Sequence, residues 1–381
     1  MKIVQYIFDP QKGLTSYGLK AEGVEASPNL VLGFGARELL SDPSRFHELR
    51  LHFPAAHILM ASTAGEIIGD RVMDGTISIT GIEFEKTPIK IAQVAIGEFQ
   101  NSFEAGVAIS GKLPLADLCF VFLISDGHLV NGSELVKGIH SVIPANIPVT
   151  GGLAGDGARF EQTLVGIDAP PAEGNIIALG FYGSSLVVGH GSRGGWDIFG
   201  PSRLVTKSKA NVLYELDGKN ALDLYKEYLG EYAKDLPASG LLFPLSLKGE
   251  NGTDSVVRTI LSIDEDAKSM TFAGDLPQGQ YATFMKANFD KLIDGAHSAA
   301  SRTFESLHNM QPQLAILISC VGRKLVLGPR IEEEVEVAQT IFGAGVPITG
   351  FYSYGEISPF NPSSKCELHN QTMTITALAE V

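Results

Sequence analysis

The chain has 381 residues, of which 44% are hydrophobic and 19% are charged, so it is long enough for two domains or for one large duplicated domain. Its formal net charge is −14 and no Lys/Arg cluster offsets this charge, which argues against a protein that binds nucleic acid or an anionic membrane. Its three cysteines have no paired spacing, its first apolar stretch is too short for a secretory signal, and no apolar run approaches the ~18 residues of a spanning helix. We therefore predict a cytoplasmic protein with free thiols.

Three segments of the chain follow one plan. Each has an apolar strand, a Gly-containing loop, a helical stretch, a proline, a second apolar strand and a turn of small residues. The apolar strands do not alternate with polar residues, which is typical of a sheet covered on both faces. The order strand, helix, strand predicts right-handed β-α-β crossovers. The segments begin at residues 29, 118 and 314, with the sequences NLVLGFG, LCFVFLI and LAILISC.

Two of the helices carry start signals. In the third segment Pro329 precedes three consecutive glutamates at 332–334, which suit the positive end of a helix dipole and which we interpret as a solvated first turn. In the second segment Asn131 or Ser133 is a candidate cap for a helix that ends before Pro144.

Further elements are predicted around the three segments. Amphipathic helices are indicated at ALDLYKEYLGEY and KANFDKLIDGAHSAASRTFESL. Strands are indicated at TISITGIEF, IKIAQVAIG, NIIALGFYGSSLVVGHGS, SVVRTILSIDEDAKSMTFAGDL and TMTITALAEV. A break near residues 199–208 separates two halves. We therefore predict an α/β fold with α+β elements and mixed sheets, in two pseudo-repeated domains at residues 1–200 and 201–381.

The first and third segments end in nearly the same turn, STAGEI at residues 62–67 and YSYGEI at residues 352–357. Ligands of open α/β sheets bind outside the carboxyl ends of strands, which is where these turns lie. Glu66 and Glu356 are therefore candidates to accept hydrogen bonds from an ammonium group of a ligand, and Asp156 holds the comparable place in the second segment. The alternative is that each carboxylate accepts hydrogen bonds from nearby backbone N–H groups and stabilises its own turn.

The small residues of these turns, Ser62, Thr63, Gly65 and Ser353, leave backbone amides open to an anionic group of a ligand. Neither GGLAGDG nor GFGARE matches a full phosphate-binding pattern, so turn formation is the simpler interpretation of their glycines. A hydrolase elbow requires glycine two residues before its serine, and Phe351 stands there. Because the sequence shows neither a nucleophile–base pair nor a metal triad, we predict no enzyme, no catalytic residue and no metal site.

Five stretches, taken together and in order, resemble the FIST family, which combines an N-terminal and a C-terminal FIST domain. They are ILMASTAGEI, VTGGLAGDG, GGWDIFGPSRLVTKSKANVLYELDGKNALDLYKEYLG, MTFAGDLPQGQYATFMKAN and ITGFYSYGEI. The resemblance implies that the two predicted domains are the FIST N-terminal and C-terminal domains of a sensory protein whose ligand is a small molecule such as an amino acid. For one subgroup it implies haem binding, nitric oxide sensing and regulation of a histidine kinase or of cyclic-nucleotide signalling.

The histidines bear on the haem expectation. The sequence has no C-x-x-C-H motif, which excludes covalent c-type attachment. His190 follows an apolar strand and is flanked by glycines that leave space, so with the resemblance it is the first candidate for an axial ligand. His47, His52 and His57 are spaced five apart and do not share one helix face. The remaining candidates are His128, His140, Cys320 and Cys366.

Trp196 and Phe199 lie where the two halves join, and we expect them to pack between the domains. The alternative is that they wall a ligand pocket, a role that Tyr352 and Tyr354 also fit. We therefore predict a non-enzymatic sensor that binds a small ligand near the turns at 61–66 and 351–356 and relays the bound state to a signalling partner by population shift. A haem-based nitric oxide sensor on the same scaffold is the alternative.

Overall fold

The computed structural model describes residues 1–18, 26–248, 255–359 and 365–381. The α-helices of this part of the chain are α1 (Arg37–Leu40), α2 (Pro43–His52), α3 (Ser102–Gly111), α4 (Gly132–His140), α5 (Ala221–Leu229), α6 (Phe289–Ser306), α7 (Val321–Leu327) and α8 (Ile331–Phe342). Short 3-10 segments occur at Ile96–Glu98, Gly230–Asp235, Ala238–Leu242 and Gly328–Arg330. Within the described residues, no helix combines the length and the apolar character needed to cross a bilayer.

The strands are β1 (Lys2–Asp9), β2 (Gly13–Tyr17), β3 (Leu30–Gly35), β4 (His57–Ser62), β5 (Glu66–Ile68), β6 (Arg71–Met73), β7 (Ile77–Glu83), β8 (Ile89–Ala95), β9 (Leu118–Ser125), β10 (Val149–Leu153), β11 (Val165–Ile167), β12 (Asn175–Tyr182), β13 (Leu186–Arg193), β14 (Asp197–Lys209), β15 (Val212–Leu216), β16 (Lys219–Asn220), β17 (Leu245–Lys248), β18 (Ser255–Arg258), β19 (Ile260–Asp264), β20 (Ser269–Phe272), β21 (Tyr281–Lys286), β22 (Leu314–Cys320), β23 (Ile348–Ser353), β24 (Gly355–Pro359), β25 (Cys366–His369) and β26 (Met373–Glu380).

Three six-stranded mixed sheets repeat one arrangement, as the three-segment pattern of the sequence predicts. Sheet I has the order β11-β4-β3-β7-β1-β2, sheet II the order β25-β24-β10-β9-β12-β8, and sheet III the order β13-β26-β22-β23-β5-β6. In each sheet a parallel pair, β3 with β4, β9 with β10 or β22 with β23, lies beside an antiparallel third strand, β7, β12 or β26. The α/β class with mixed sheets is therefore confirmed.

The three repeats exchange strands in a closed cycle. After β4 the chain leaves sheet I, and β5 pairs with β23 of sheet III. After β23 it leaves sheet III, and β24 pairs with β10 of sheet II. After β10 it leaves sheet II, and β11 pairs with β4 of sheet I. Because each repeat completes the sheet of another, the three sheets cannot separate without breaking strand pairs.

The inner faces of the three sheets share one apolar core, while helices cover the outer faces. Phe34 of sheet I, Phe122 of sheet II and Phe351 of sheet III all belong to the inner core. On the outer side, α2 packs on sheet I, and α3, α4, α6 and α8 contribute to a second large cluster with sheets II and III. This two-sided coverage explains why the strands are apolar without alternation. Each fully buried Leu or Phe contributes about 1.5–3 kcal/mol.

A separate sheet forms between β13 and α6. Its order is β18-β17-β21-β14-β15-β20-β19, with β16 paired to β15, and its apolar core includes α5. The edge strands β18 and β19 are separated in the chain by Thr259 alone, so the sheet curls on itself. Trp196 packs where this inserted unit meets α6 and α7, whereas Phe199 packs against the core of the inserted unit itself. The predicted boundary at 200/201 falls inside β14, and strands from both sides of it share sheets II and III; the two-domain division stays a prediction.

The helix start signals are confirmed in one case and corrected in another. Asn131 caps α4, its side chain accepting a hydrogen bond from Glu134 N at 3.2 Å, and the helix ends before Pro144. The first turn of α8 does carry the three predicted glutamates. It is not fully solvated, however, because Glu334 is completely buried and its carboxylate pairs with the guanidinium of Arg323 at 2.7 Å.

Candidate functional site

Three turns meet at the carboxyl ends of the parallel strands. We call turn 1 residues 63–65, turn 2 residues 154–157 and turn 3 Tyr354. The three turns, together with Glu66 and Glu356, form what we call the turn ring. Each turn is hydrogen-bonded to the end of a strand that belongs to another repeat, as a consequence of the strand exchange. The bonds are Ala64 N to Tyr352 O at 2.8 Å, Gly155 N to Ser62 O at 2.9 Å, and Tyr354 N to Leu153 O at 3.2 Å.

Glu66 is the first residue of β5, directly after turn 1, and its side chain is almost fully buried. Its Oε1 accepts a hydrogen bond from the hydroxyl of Thr63 at 2.6 Å. Its Oε2 accepts one from the backbone N–H of Thr76 at 3.2 Å and one from the Thr76 hydroxyl at 2.8 Å. Burial raises the pKa of Glu66 to about 7, and these hydrogen bonds oppose the rise.

Glu356 occupies the matching place after turn 3 and has the same set of partners. Its Oε1 accepts from the Ser353 hydroxyl at 2.8 Å, and its Oε2 accepts from Thr372 N at 3.1 Å and from the Thr372 hydroxyl at 2.8 Å. Burial raises its pKa to about 8, against the hydrogen bonds from Ser353 and Thr372. The two glutamates are thus equivalent in two repeats, and in this structure protein donors occupy both of their oxygens.

Asp156 of turn 2 is also completely buried, but its partners differ. Its Oδ1 accepts from Phe160 N at 2.9 Å and from the hydroxyl of Tyr354, and its Oδ2 accepts from the Arg37 guanidinium at 3.1 Å. The ring of Phe160 stacks on Tyr354 with centroids 4.5 Å apart. Asp156 therefore ties turn 2 to turn 3 and to the first residue of α1. It shares the position of Glu66 and Glu356 but not their serine or threonine hydroxyl partners.

The other predicted ligand contacts are also engaged within the protein. The Ser62 hydroxyl accepts a hydrogen bond from Leu164 N at 2.8 Å. Gly65 has φ +141°, and a Cβ there would collide with the ammonium of Lys324, which donates to Ala64 O at 2.9 Å. The Trp196 indole N–H donates to Gln371 O at 2.8 Å. The structure therefore brings most of the predicted residues together, in a closed and tightly bonded arrangement.

The predictions omitted several residues that complete the ring. Thr76 and Thr372 hold the two buried glutamates, and Arg37 holds Asp156. A signal for the threonines does exist, because TISIT at 76–80 and TMTIT at 372–376 repeat one another. Each begins immediately before the third strand of its repeat, β7 or β26. Nothing in the spacing of Arg37 indicates that its side chain reaches a residue in another repeat.

A buried ion pair lies behind turn 3. Arg323 and Glu334 have no exposed surface. The hydroxyls of Tyr352 and Ser319 donate to Glu334 Oε1 at 2.8 and 2.9 Å. The Arg323 guanidinium also donates to Gly194 O and, at 2.8 Å, to Leu292 O. Because Gly194 directly precedes the inserted unit and Leu292 lies in α6, this pair fixes the junction between that unit and sheet III.

Haem does not fit the residues around the first candidate ligand. Burial lowers the pKa of His190 to about 4, so the imidazole is neutral, as ligation requires. The space expected beside Gly189 and Gly191 is filled, however, since a Cβ at either glycine would meet backbone or side-chain atoms of α6. His140, another candidate, has its Nε2 at 2.8 Å from Sγ of the buried Cys366. The glycines around His190 thus make room for a helix and leave no space there for a porphyrin.

Two cavities lie at the other end of the strands, where β4 and β23 begin. The larger has a volume of about 1180 Å³ and the smaller about 540 Å³, and neither is lined by a residue of the turn ring. Side chains on the larger cavity come from the β1–β2 hairpin, the end of α2, the link after β5, and α8. They include Gln5, Tyr6, Tyr17, His52, Asp70 and Gln339.

Comparison with known proteins gives two adjoining family matches. Residues 29–219 match the FIST N domain and residues 221–359 match the FIST C domain. FIST domains are sensory domains of signal transduction. An uncharacterized protein of Methanocaldococcus jannaschii, MJ1623, is 24% identical over 319 residues, or 76% of this chain. The chain spans 59% of the length of that relative.

Proposed function

The chain belongs to the FIST family, and on that premise we propose that it is a non-enzymatic sensor, which binds a small ligand and passes the bound state to a signalling partner such as a histidine kinase. The observation that carries this proposal is the turn ring. It hydrogen-bonds three repeats, drawn from both halves of the chain, directly to one another. A change in any one turn therefore alters how two repeats sit together, which is what relaying a bound state requires.

We infer that the ring takes two states, one for each arrangement of the repeats. Glu66 and Glu356 have pKa values near neutrality, and each sits at the start of an exchanged strand. A ligand that binds one arrangement of the repeats more tightly than another shifts the population toward it. In our proposal the ring is the relay. Direct contact between its carboxylates and a ligand amine requires the amine to replace hydroxyl donors such as that of Thr63.

A thermal-shift screen of the intact protein tests the sensor function. Amino acids are the first ligands to screen, with haem absent and then present. We expect at least one compound to raise Tm in a concentration-dependent way, and we expect Glu66→Gln to change the size of that rise because the variant alters the relay. If no compound stabilises the protein under either condition, the sensor proposal is wrong.

A further inference from the structure

We propose that the larger cavity binds a small organic cation, namely an amine that carries an aromatic or aliphatic body and no carboxylate. The cavity lies at the opposite end of the strands from the turn ring, beside the loops that precede β4 and β23. This inference rests on the proposed sensor function, because it names the site and the chemical class of the ligand. It also narrows that class, since an amino acid carries a carboxylate, and the described residues of the lining include no lysine or arginine to pair with it.

Charge is the first argument. Among the described residues that line the cavity, Asp70 is the only carboxylate, and there is no lysine or arginine. Asp70 takes part in no ion pair within the described part of the chain. Arg71, the next residue, is exposed and is not part of the lining, but its charge reaches the lining residue Tyr17 and lowers the pKa of that side chain against the larger effect of burial. Asp70 is exposed at the mouth of the cavity, where it interacts with the Tyr17 hydroxyl. An ammonium group would meet this carboxylate, whereas a ligand carboxylate would meet a side chain of like charge.

The neutral polar side chains of the lining also favour a cationic ligand. The amide nitrogen of Gln5 donates to Ile348 O at 2.9 Å and to the Thr80 hydroxyl at 3.2 Å. The amide nitrogen of Gln339 donates to Gly343 O at 2.8 Å and also to Val346 O. Both amide groups thus use their N–H donors within the protein, whereas their Oε1 atoms accept from no donor within the described residues. These two oxygens remain available as acceptors, and an ammonium group with three N–H donors can bind them.

The lining combines aliphatic side chains with the aromatic rings of Tyr6, Tyr17, His52 and Phe53. Tyr6 meets the ring of His52 edge-on with centroids 5.0 Å apart, and it meets Phe53 at 5.8 Å. Burial, and then the nearby charge of Asp70, raise the pKa of Tyr17, so its hydroxyl stays neutral beside that carboxylate. Aromatic faces next to a carboxylate suit a cation with an apolar body, because the ring quadrupole attracts the charge while the body covers apolar surface.

The cavity is joined to the relay by one short strand. Asp70 follows β5 by two residues, and β5 begins with Glu66 of the turn ring. Gly69 N donates to Ile348 O at 2.9 Å, which fixes this end of the strand to the start of β23. An occupant held by Asp70 therefore acts on the strand whose other end carries a ring carboxylate.

Calorimetric titration of the full chain tests the inference with matched pairs of probes. The probes are tyramine and phenethylamine, each compared with its amino acid, tyrosine and phenylalanine. We expect both amines to bind, and each to bind at least tenfold more tightly than the matching amino acid. We expect Asp70→Asn to weaken amine binding at least tenfold. Asp266→Asn, which alters an exposed aspartate in the inserted unit, serves as the control and should leave the affinity unchanged.

Circular dichroism and Tm of each variant establish that it is folded, and Tyr17→Phe provides a second variant that keeps the shape of the cavity. Amine binding that survives both Asp70→Asn and Tyr17→Phe would overturn the site. Amino acids that bind as tightly as the amines would overturn the ligand class. Failure of both amines, with an amino acid still raising Tm, would overturn the inference and leave the sensor function standing. Failure of every compound would overturn both.

Discussion

Replacing Glu356 by glutamine should change how the stability of the protein depends on pH. Burial raises the pKa of this carboxyl from 4.5 to about 8 in the folded protein, against the hydrogen bonds of Ser353 and Thr372. Because the folded-state pKa lies above the unfolded value, the contribution of Glu356 to the free energy of unfolding is fully present below about pH 4.5. This contribution is lost as the pH rises through about 8. At about 1.4 kcal/mol per pKa unit, the full loss is about 5 kcal/mol, of which about 3 kcal/mol falls between pH 5.5 and 8.5.

Glutamine has the shape of the protonated carboxyl and keeps its hydrogen bonds, with the amide N–H₂ toward Ser353 and the carbonyl toward Thr372. The free energy of unfolding of Glu356→Gln, taken relative to wild type, should therefore rise by about 3 kcal/mol from pH 5.5 to 8.5. Urea unfolding at several pH values measures this difference, and Tm should follow it in the same direction. Glu98→Gln, at an exposed site, is the control and should give a difference that does not vary with pH. Parallel pH profiles for wild type and Glu356→Gln would refute the reasoning.

Three further predictions follow from the contacts of the ring and its surroundings. Thr372→Val removes a hydroxyl donor to Glu356 and should lower the free energy of unfolding by about 1–3 kcal/mol in urea unfolding, more at pH 8.5 than at 5.5; an equal loss at both would contradict it. Arg323→Met leaves the buried charge of Glu334 without its partner and should lower the free energy of unfolding by about 3–5 kcal/mol in the same assay. The double variant with Glu334→Leu should recover most of this loss, and a double variant as unstable as Arg323→Met would contradict the role of the pair. Gly151→Ala should abolish soluble expression, because the residue has φ +151° and a carbonyl of the neighbouring strand occupies the position of the new Cβ. A folded variant with the Tm of wild type would contradict this backbone geometry.

The sequence predicts the repeated units well because they depend on local patterns. Apolar strands, the loop, the helix and the proline recur at residues 29, 118 and 314, and each recurrence becomes a parallel pair with a covering helix. The matched turns also lie where predicted, at the carboxyl ends of β4 and β23. These features need only period, caps and turn residues, which a single sequence displays.

The exchange of strands could not be predicted in the same way. The strand that begins at Glu66 pairs with Phe351, and nothing in the short sequence EII indicates a partner in the last repeat rather than its own. The burial of Glu334 was missed for a similar reason. A glutamate in the first turn of a helix suits the dipole whether it is exposed or buried, and its partner Arg323 precedes the helix on a different element. The cavity is built by four separate segments, so no local pattern marks it.

Hydrogen–deuterium exchange of the intact protein, with and without tyramine at a concentration that saturates calorimetric binding, tests the central claim most directly. The account predicts that the amine changes exchange both in peptides of the cavity and in the peptides that contain turns 1, 2 and 3. It would be contradicted if exchange changed only at the cavity, or at no site, while the three turns kept the rates of the ligand-free protein.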